Sequence, residues 1–126
     1  MKKLITLSVT LLLLLAACAT APQNWQTINA AQAQAIMAET EHFVLLDVRT
    51  QAEFNQSHIP GATLLPYNEV HTRAHELPDT NTVILLYCQS GRRSAIAAAA
   101  LAGLGFTNIY DFGGINNWPF EIITGG

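Results

Sequence analysis

Cys88 is followed by Gln89-Ser90-Gly91-Arg92-Arg93-Ser94, a loop with one glycine and two adjacent cations. A thiol attacks only as thiolate, and a free cysteine with a pKa of about 8.5 is roughly 3% ionised at pH 7. A helix beginning just after the cysteine would offer unpaired N–H groups and a partial positive charge. That charge is worth about 0.3–1 kcal/mol, less than one pKa unit, so it is not sufficient alone. The arginines and several converging N–H groups must supply the rest, and a pKa of about 6.5 would leave most of the cysteine ionised. Gly91 lets the loop fold so that those N–H groups meet at one centre. The chemistry expected is nucleophilic attack on a small anion. The bland alternative is a buried, inert cysteine at a strand end, a common fate for this residue type.

Such a loop works best outside the carboxyl end of a strand in an open α/β sheet. Val83 to Tyr87 is an apolar run of strand length directly before Cys88, and Arg93 to Leu104 is a strong helix former closing at Gly103 or Gly105. Phe43-Val44-Leu45-Leu46 is a second buried strand ending in Asp47-Val48-Arg49, after which Thr50 caps a short helix through Gln56. Trp25 to Ile28 reads as a brief edge strand, and Asn29 as the N-cap of a helix over Ala30 to Thr40. His58 to Ala62 contains Pro60-Gly61 and reads as a turn, Thr63 to Leu65 as a short strand, and Tyr67 to Leu77 as helical or irregular. Asn108 to Phe112 is the last strand, leading into Gly113-Gly114. This alternation predicts an α/β fold with a central, mainly parallel five-stranded sheet and helices on both faces.

Three signatures occur in order: Asp47-Val48-Arg49 with Glu53-Phe54 and His58-Ile59-Pro60-Gly61-Ala62, then the loop from Cys88 to Ser94, then Gly113-Gly114 with Trp118. Over most of Trp25 to Trp118 the chain resembles a single-domain rhodanese, nearest to the small periplasmic thiosulfate sulfurtransferases. The resemblance implies a rhodanese-like fold over 25–126 and no cofactor. It further implies that Cys88 takes the sulfane sulfur of thiosulfate, releases sulfite, and passes the persulfide to a thiophilic acceptor such as cyanide, a thiol or a thioredoxin-like protein. In that scheme the backbone of Gln89, Ser90, Gly91 and Ser94 cradles the sulfur and an arginine binds the sulfonate. Arg93 matches the family's recurrent arginine before Ser94 and is favoured over Arg92, which is placed at the rim. Gln89 departs from a common version of the loop that has arginine there, which leaves the donor open.

Two other readings use the same residues. A cysteine phosphatase or arsenate reductase needs the same thiolate and arginine, but phosphatases place five residues between them and here there are four. A tethered persulfide carrier differs from the enzyme mainly in its acceptor. Asp47, Arg49 and His58, with Glu53, are expected to support the loop by pairing with each other and with backbone. Trp118 is placed either in the core or at the pocket mouth. His71 and His75 are four apart with no third ligand evident, so no metal site is expected.

The chain opens Met1-Lys2-Lys3, runs through apolar Leu4 to Leu15, and reaches Ala16-Ala17-Cys18. A cationic start, an apolar run too short to span a bilayer and small residues make a secretory signal over 1–17. Leu15-Ala16-Ala17-Cys18 resembles a lipoprotein cleavage box, which implies lipid on Cys18, a tether over 18–24 and membrane attachment. Ala19 in place of Asp favours the outer membrane by family habit. Beyond the signal there remain four arginines and nine carboxylates, a net charge of −5 that argues against nucleic acid as partner. With Cys18 lipidated, Cys88 has no internal disulfide partner, and a monomer is assumed.

Overall fold

The computed structural model describes residues 23–125. The signal segment, the lipidation expected at Cys18 and most of the tether lie outside the described residues. The elements are β1 (Gln26–Thr27), α1 (Ala30–Glu39), β2 (Phe43–Asp47), α2 (Gln51–Gln56), β3 (Ser57–His58), β4 (Thr63–Leu64), α3 (Val70–Arg73), β5 (Val83–Cys88), α4 (Arg92–Gly103), β6 (Ile109–Gly114) and β7 (Ile123–Thr124). Short 3₁₀ turns flank α3 and follow β6.

Five strands form one parallel sheet in the order β1-β6-β5-β2-β4, as the alternation of elements predicts. The central strand β5 alternates its side chains between two cores. Ile84, Leu86 and Cys88 pack with Ala97, Ala98 and Leu101 of α4 and Val70 of α3. Leu85 and Tyr87 pack on the other face with Ala33, Ile36 and Met37 of α1 and with Phe112. Burial on both faces is why β5 is apolar throughout rather than alternating.

Local capping fixes the helices where polar residues announced them. Asn29 Oδ1 accepts from Gln32 N at 2.8 Å while Asn29 N donates to Gln32 Oε1 at 2.9 Å. Thr50 and Glu53 repeat this reciprocal box at the start of α2, with Glu53 N donating to Thr50 Oγ1 at 3.2 Å.

The structure departs from the sequence reading in two places. His58, read as the first residue of a turn, instead forms a strand with Ser57 that pairs antiparallel with Ile123-Thr124 in a separate two-stranded ribbon. Strand β6 runs through both glycines to Gly114 instead of ending at Phe112, because a bulge inserts one extra residue: Leu86 faces Asp111, while Cys88 faces Gly114.

Candidate active site

Cys88 ends β5 and is 1% exposed. The chain then turns through Gly91, whose φ of +117° is open to glycine and strained for other residues, and enters α4 at Arg92. This turn brings Gly91 N–H back to Cys88 Sγ at 3.0 Å. Ser94 Oγ, one turn into α4, lies 3.5 Å from the same sulfur. Burial raises the thiol pKa, but the Ser94 hydroxyl and the backbone N–H groups of Ser94, Gly91 and Ser90 together outweigh it, and the pKa is lowered. Fixed N–H groups favour the charged form in the way the helix N-terminus alone could not.

The extra residue in β6 makes room for this loop. At Gly114 a methyl group would collide with the carbonyl oxygen of Gln89 and stand 2.7 Å from Ser90 Cα. Asn116 N donates to Gln89 O at 3.2 Å, and the Gln89 amide donates to Asn116 Oδ1. The Gly-Gly pair therefore allows the chain after β6 to lie against the loop after β5.

A buried ion pair supports the loop from β2. Arg49 is 2% exposed, meets Asp47 through Nε at 3.0 Å and Nη2 at 2.7 Å, and donates to Gln89 Oε1 at 3.0 Å and Ser57 O at 2.6 Å. Burial opposes its charge, but the Asp47 carboxylate more than restores it, so the Arg49 pKa is raised. One guanidinium thus links β2, the cysteine loop and β3. His58 Nδ1–H donates to Phe54 O at 2.9 Å and the imidazole stacks on the Phe54 ring, so it fastens the end of α2. Asp47 and Arg49 thus brace the cysteine loop through Gln89, while His58 is tied to α2.

Arg93, which the resemblance favours as the arginine of the pocket, is ion-paired in the structure. Its two terminal nitrogens meet the two carboxylate oxygens of Glu53 at 2.7 and 2.8 Å. The pair forms because Glu53, held by Thr50 at the start of α2, faces the first turn of α4. The other loop arginine, Arg92, is exposed and enters none of the ion pairs among the described residues. Trp118 is half-buried against the core on the α1 side, beside Phe112 and the exposed Phe120 and away from the cluster that contains Cys88, and its indole N–H donates to Glu121 O at 3.0 Å.

Two contributors were not singled out from sequence. Asn116 is tied to Gln89, and Asp111, 3% exposed, lies on β6 behind Ser94. The signal for Asp111 was present: an acid inside the otherwise apolar strand Ile109-Tyr110-Asp111-Phe112. Among the described residues no cluster of three or more metal-ligating side chains occurs.

Residues 29–120 match the family of rhodanese-like domains. The chain is 36% identical over 86 residues to the thiosulfate sulfurtransferase PspE of Escherichia coli, covering 68% of this chain and 81% of that one. It is 40% identical over 83 residues to a sulfurtransferase of Allochromatium vinosum, covering 65% and 77%. A solved structure described as a rhodanese with anions from E. coli superposes with a TM-score of 0.60 at 32% identity, covering 65% of this chain and 98% of that one. With the family matched over residues 29–120 and the fold in agreement, the chain belongs to the rhodanese-like sulfurtransferases.

Proposed function

We propose that the chain transfers the sulfane sulfur of thiosulfate through a persulfide on Cys88. The Cys88 thiolate attacks the outer sulfur of thiosulfate, a new S–S bond forms, and the S–S bond within thiosulfate breaks with its electron pair leaving on sulfite. The persulfide anion then yields its outer sulfur to a thiophilic acceptor, cyanide or a thiolate, and the Cys88 thiolate returns. The observation that carries this reading is the sulfur cradle itself: Gly91 N–H at 3.0 Å and Ser94 Oγ at 3.5 Å from the Cys88 sulfur, with the backbone N–H groups of Ser90 and Ser94 also favouring the thiolate. These donors suit a spread-out sulfur anion and need no rearrangement when charge moves one atom outward. Arg92, exposed at the first turn of α4, is the cation available for the sulfonate oxygens, since Arg93 is committed to Glu53.

The test is intact-protein mass spectrometry after thiosulfate treatment, followed by a steady-state assay with cyanide. Wild type should gain one sulfur atom and Cys88→Ala none; an unmodified wild type would overturn the reading. A carrier role is the second reading, favoured by 39% identity over 79 residues to a Bacillus subtilis protein named a putative sulfur carrier, of which this chain covers 42%. Sulfur loading in a single turnover without cycling on cyanide would select it.

We further propose that the domain is exported and held to a membrane by lipid on Cys18, with the outer membrane as the destination. Support comes from the order of cationic, apolar and small residues before Cys18. Radiolabelled fatty acid should enter the wild type and not Cys18→Ala.

A further inference from the structure

Ser94 is wholly buried in the first turn of α4, and its hydroxyl stands among three groups that compete for one proton. Gly91 O is 3.1 Å from Oγ, Gly113 O is 3.3 Å away, and the Cys88 sulfur is 3.5 Å away. A hydroxyl has one proton and two lone pairs, so it serves one of the three as donor at a time. While Cys88 is a thiol the arrangement is complete. Its S–H donates to Ser94 Oγ, and the serine proton lies on one of the two carbonyls.

Ionisation of Cys88 removes that S–H. The sulfur is then the one charged acceptor of the three, and it draws the serine proton into a charge-assisted bond. Rotation about Cβ–Oγ suffices, because the heavy atoms are already within reach. Gly91 O is not left bare, since Ala95 N–H reaches it at 3.3 Å. Loading reverses the turn. The negative charge moves onto a second sulfur about 2 Å beyond Sγ. Ser94 lies on the closed, buried side of Sγ, whereas the added sulfur stands on the side from which the donor comes. The inner sulfur is then neutral, and the serine proton goes back to a carbonyl.

We propose that the Ser94 hydroxyl is a two-position switch that bonds the thiolate of the empty enzyme, lets go of the persulfide, and thereby favours discharge. When a thiophile such as sulfite takes the outer sulfur, the S–S bond breaks and its electron pair returns to Sγ, where the hydroxyl turns to meet it. Other charge around the sulfur is held elsewhere. Asp47 on β2 is paired with Arg49, Glu53 on α2 with Arg93, and Arg73 on α3 with Glu76, while Arg92 is exposed. Asp111 on β6 accepts from Gly113 N at 2.9 Å, Tyr67 borders the same core, and the Tyr87 side chain faces the opposite one. Ser94→Ala changes none of these charges, so its effect on the sulfur reports the hydroxyl.

The proposal rests on the sulfur cycle above, but a wild type that takes up no sulfur from thiosulfate refutes that cycle, whereas the results below refute only the switch. Iodoacetamide alkylation, read on the peptide that carries Cys88, gives the thiol pKa, and Ser94→Ala should raise it by about one unit. Persulfide is then made with inorganic tetrasulfide and equilibrated with thiosulfate and sulfite at a pH above both thiol midpoints. Ser94→Ala should be half loaded at a thiosulfate-to-sulfite ratio about tenfold lower than wild type, because only its empty form has lost a bond. An unchanged thiol pKa overturns the proposal. An unchanged or higher ratio overturns it as well, since the hydroxyl would then follow the charge onto the outer sulfur. Alanine suits a helix better than serine, so the variant is expected to fold. The native serine has its own readout in the S–H stretch of Cys88 below the thiol midpoint, isolated as the infrared difference between wild type and Cys88→Ala. The band should lie at the lowered frequency of a hydrogen-bonded thiol, and a band at the free-thiol position overturns the switch.

Discussion

The guanidinium of Arg93 and the carboxylate of Glu53 meet through two parallel hydrogen bonds, 2.7 and 2.8 Å long, across 40 residues of chain. The pair ties the first turn of α4 to α2, so the cysteine loop is held at its far end by an ion pair and at its near end by β5. Hydrogen bonding from Arg93 is the chief cause that brings the Glu53 pKa from 4.5 down to about 2.

The pair makes a pH-dependent contribution to stability. Because the folded-state pKa is depressed, the contribution is complete above about 4.5 and is lost as pH falls through about 2. With both side chains about a quarter exposed, solvent screening reduces it to about 1–2 kcal/mol. Urea unfolding of Glu53→Gln should show that loss at pH 7 and a smaller decline between pH 5 and 2 than wild type.

The two loop arginines should separate by phenotype. Arg92→Ala is expected to raise KM for thiosulfate about tenfold with the melting temperature nearly unchanged, the loss of one charge-assisted contact. Arg93→Ala should lower the melting temperature by several degrees, equivalent to about 1–2 kcal/mol, because Glu53 loses its partner. Steady-state kinetics beside thermal melts decide it; equal effects on both readouts for both variants would contradict the assignment.

Gly114→Ala should disable the site more than it damages the fold. The added methyl meets backbone on the cysteine loop, atoms that cannot swing aside as a flexible side chain would. The loop must shift, Gly91 N–H leaves Sγ, and kcat/KM should fall by about 100-fold or more, since a misplacement of about 1 Å has that scale of effect. Alkylation kinetics of Cys88 in the same variant should give a thiol pKa closer to that of a free cysteine.

Arg49→Lys retains the charge but not the fork. Asp47, Gln89 Oε1 and Ser57 O cannot all be reached by one ammonium, so buried acceptors lose donors. A loss of about 1–3 kcal/mol in urea unfolding is expected, with faster hydrogen exchange in the loop around Gln89.

Much of this architecture is written in local pattern. The apolar run before Cys88, the caps at Asn29 and Thr50 and the strand ending at Asp47 depend on neighbours within a few residues, and each appears where those residues indicate. The pairing of Ser57-His58 with Ile123-Thr124 joins segments far apart in sequence and too short to show a period. The partner of Arg93 was hidden for a related reason. Glu53 is visible as a capping residue of α2, but its second task depends on how α2 faces α4, which is a property of packing. A motif names the residues of a loop without saying which of its charges are already neutralised. Likewise the Gly-Gly step lies beyond the strand read from sequence, whereas in the fold it extends β6 by a bulge and clears space for the loop.

The depth of the Cys88 sulfur has a consequence for the order of events in the proposed cycle. At 1% exposure the empty enzyme keeps its nucleophile beneath the loop, so bulky oxidants and large thiols meet backbone before they meet sulfur. Loading changes the reach of that side chain: an added sulfur stands about 2.05 Å farther out. The charged enzyme therefore presents its cargo nearer the surface than the uncharged enzyme presents its thiolate. In the proposed cycle a small donor such as thiosulfate would be selected by access on the way in, and a larger acceptor would be admitted on the way out, with the length of one bond acting as the sorting element between the two half-reactions.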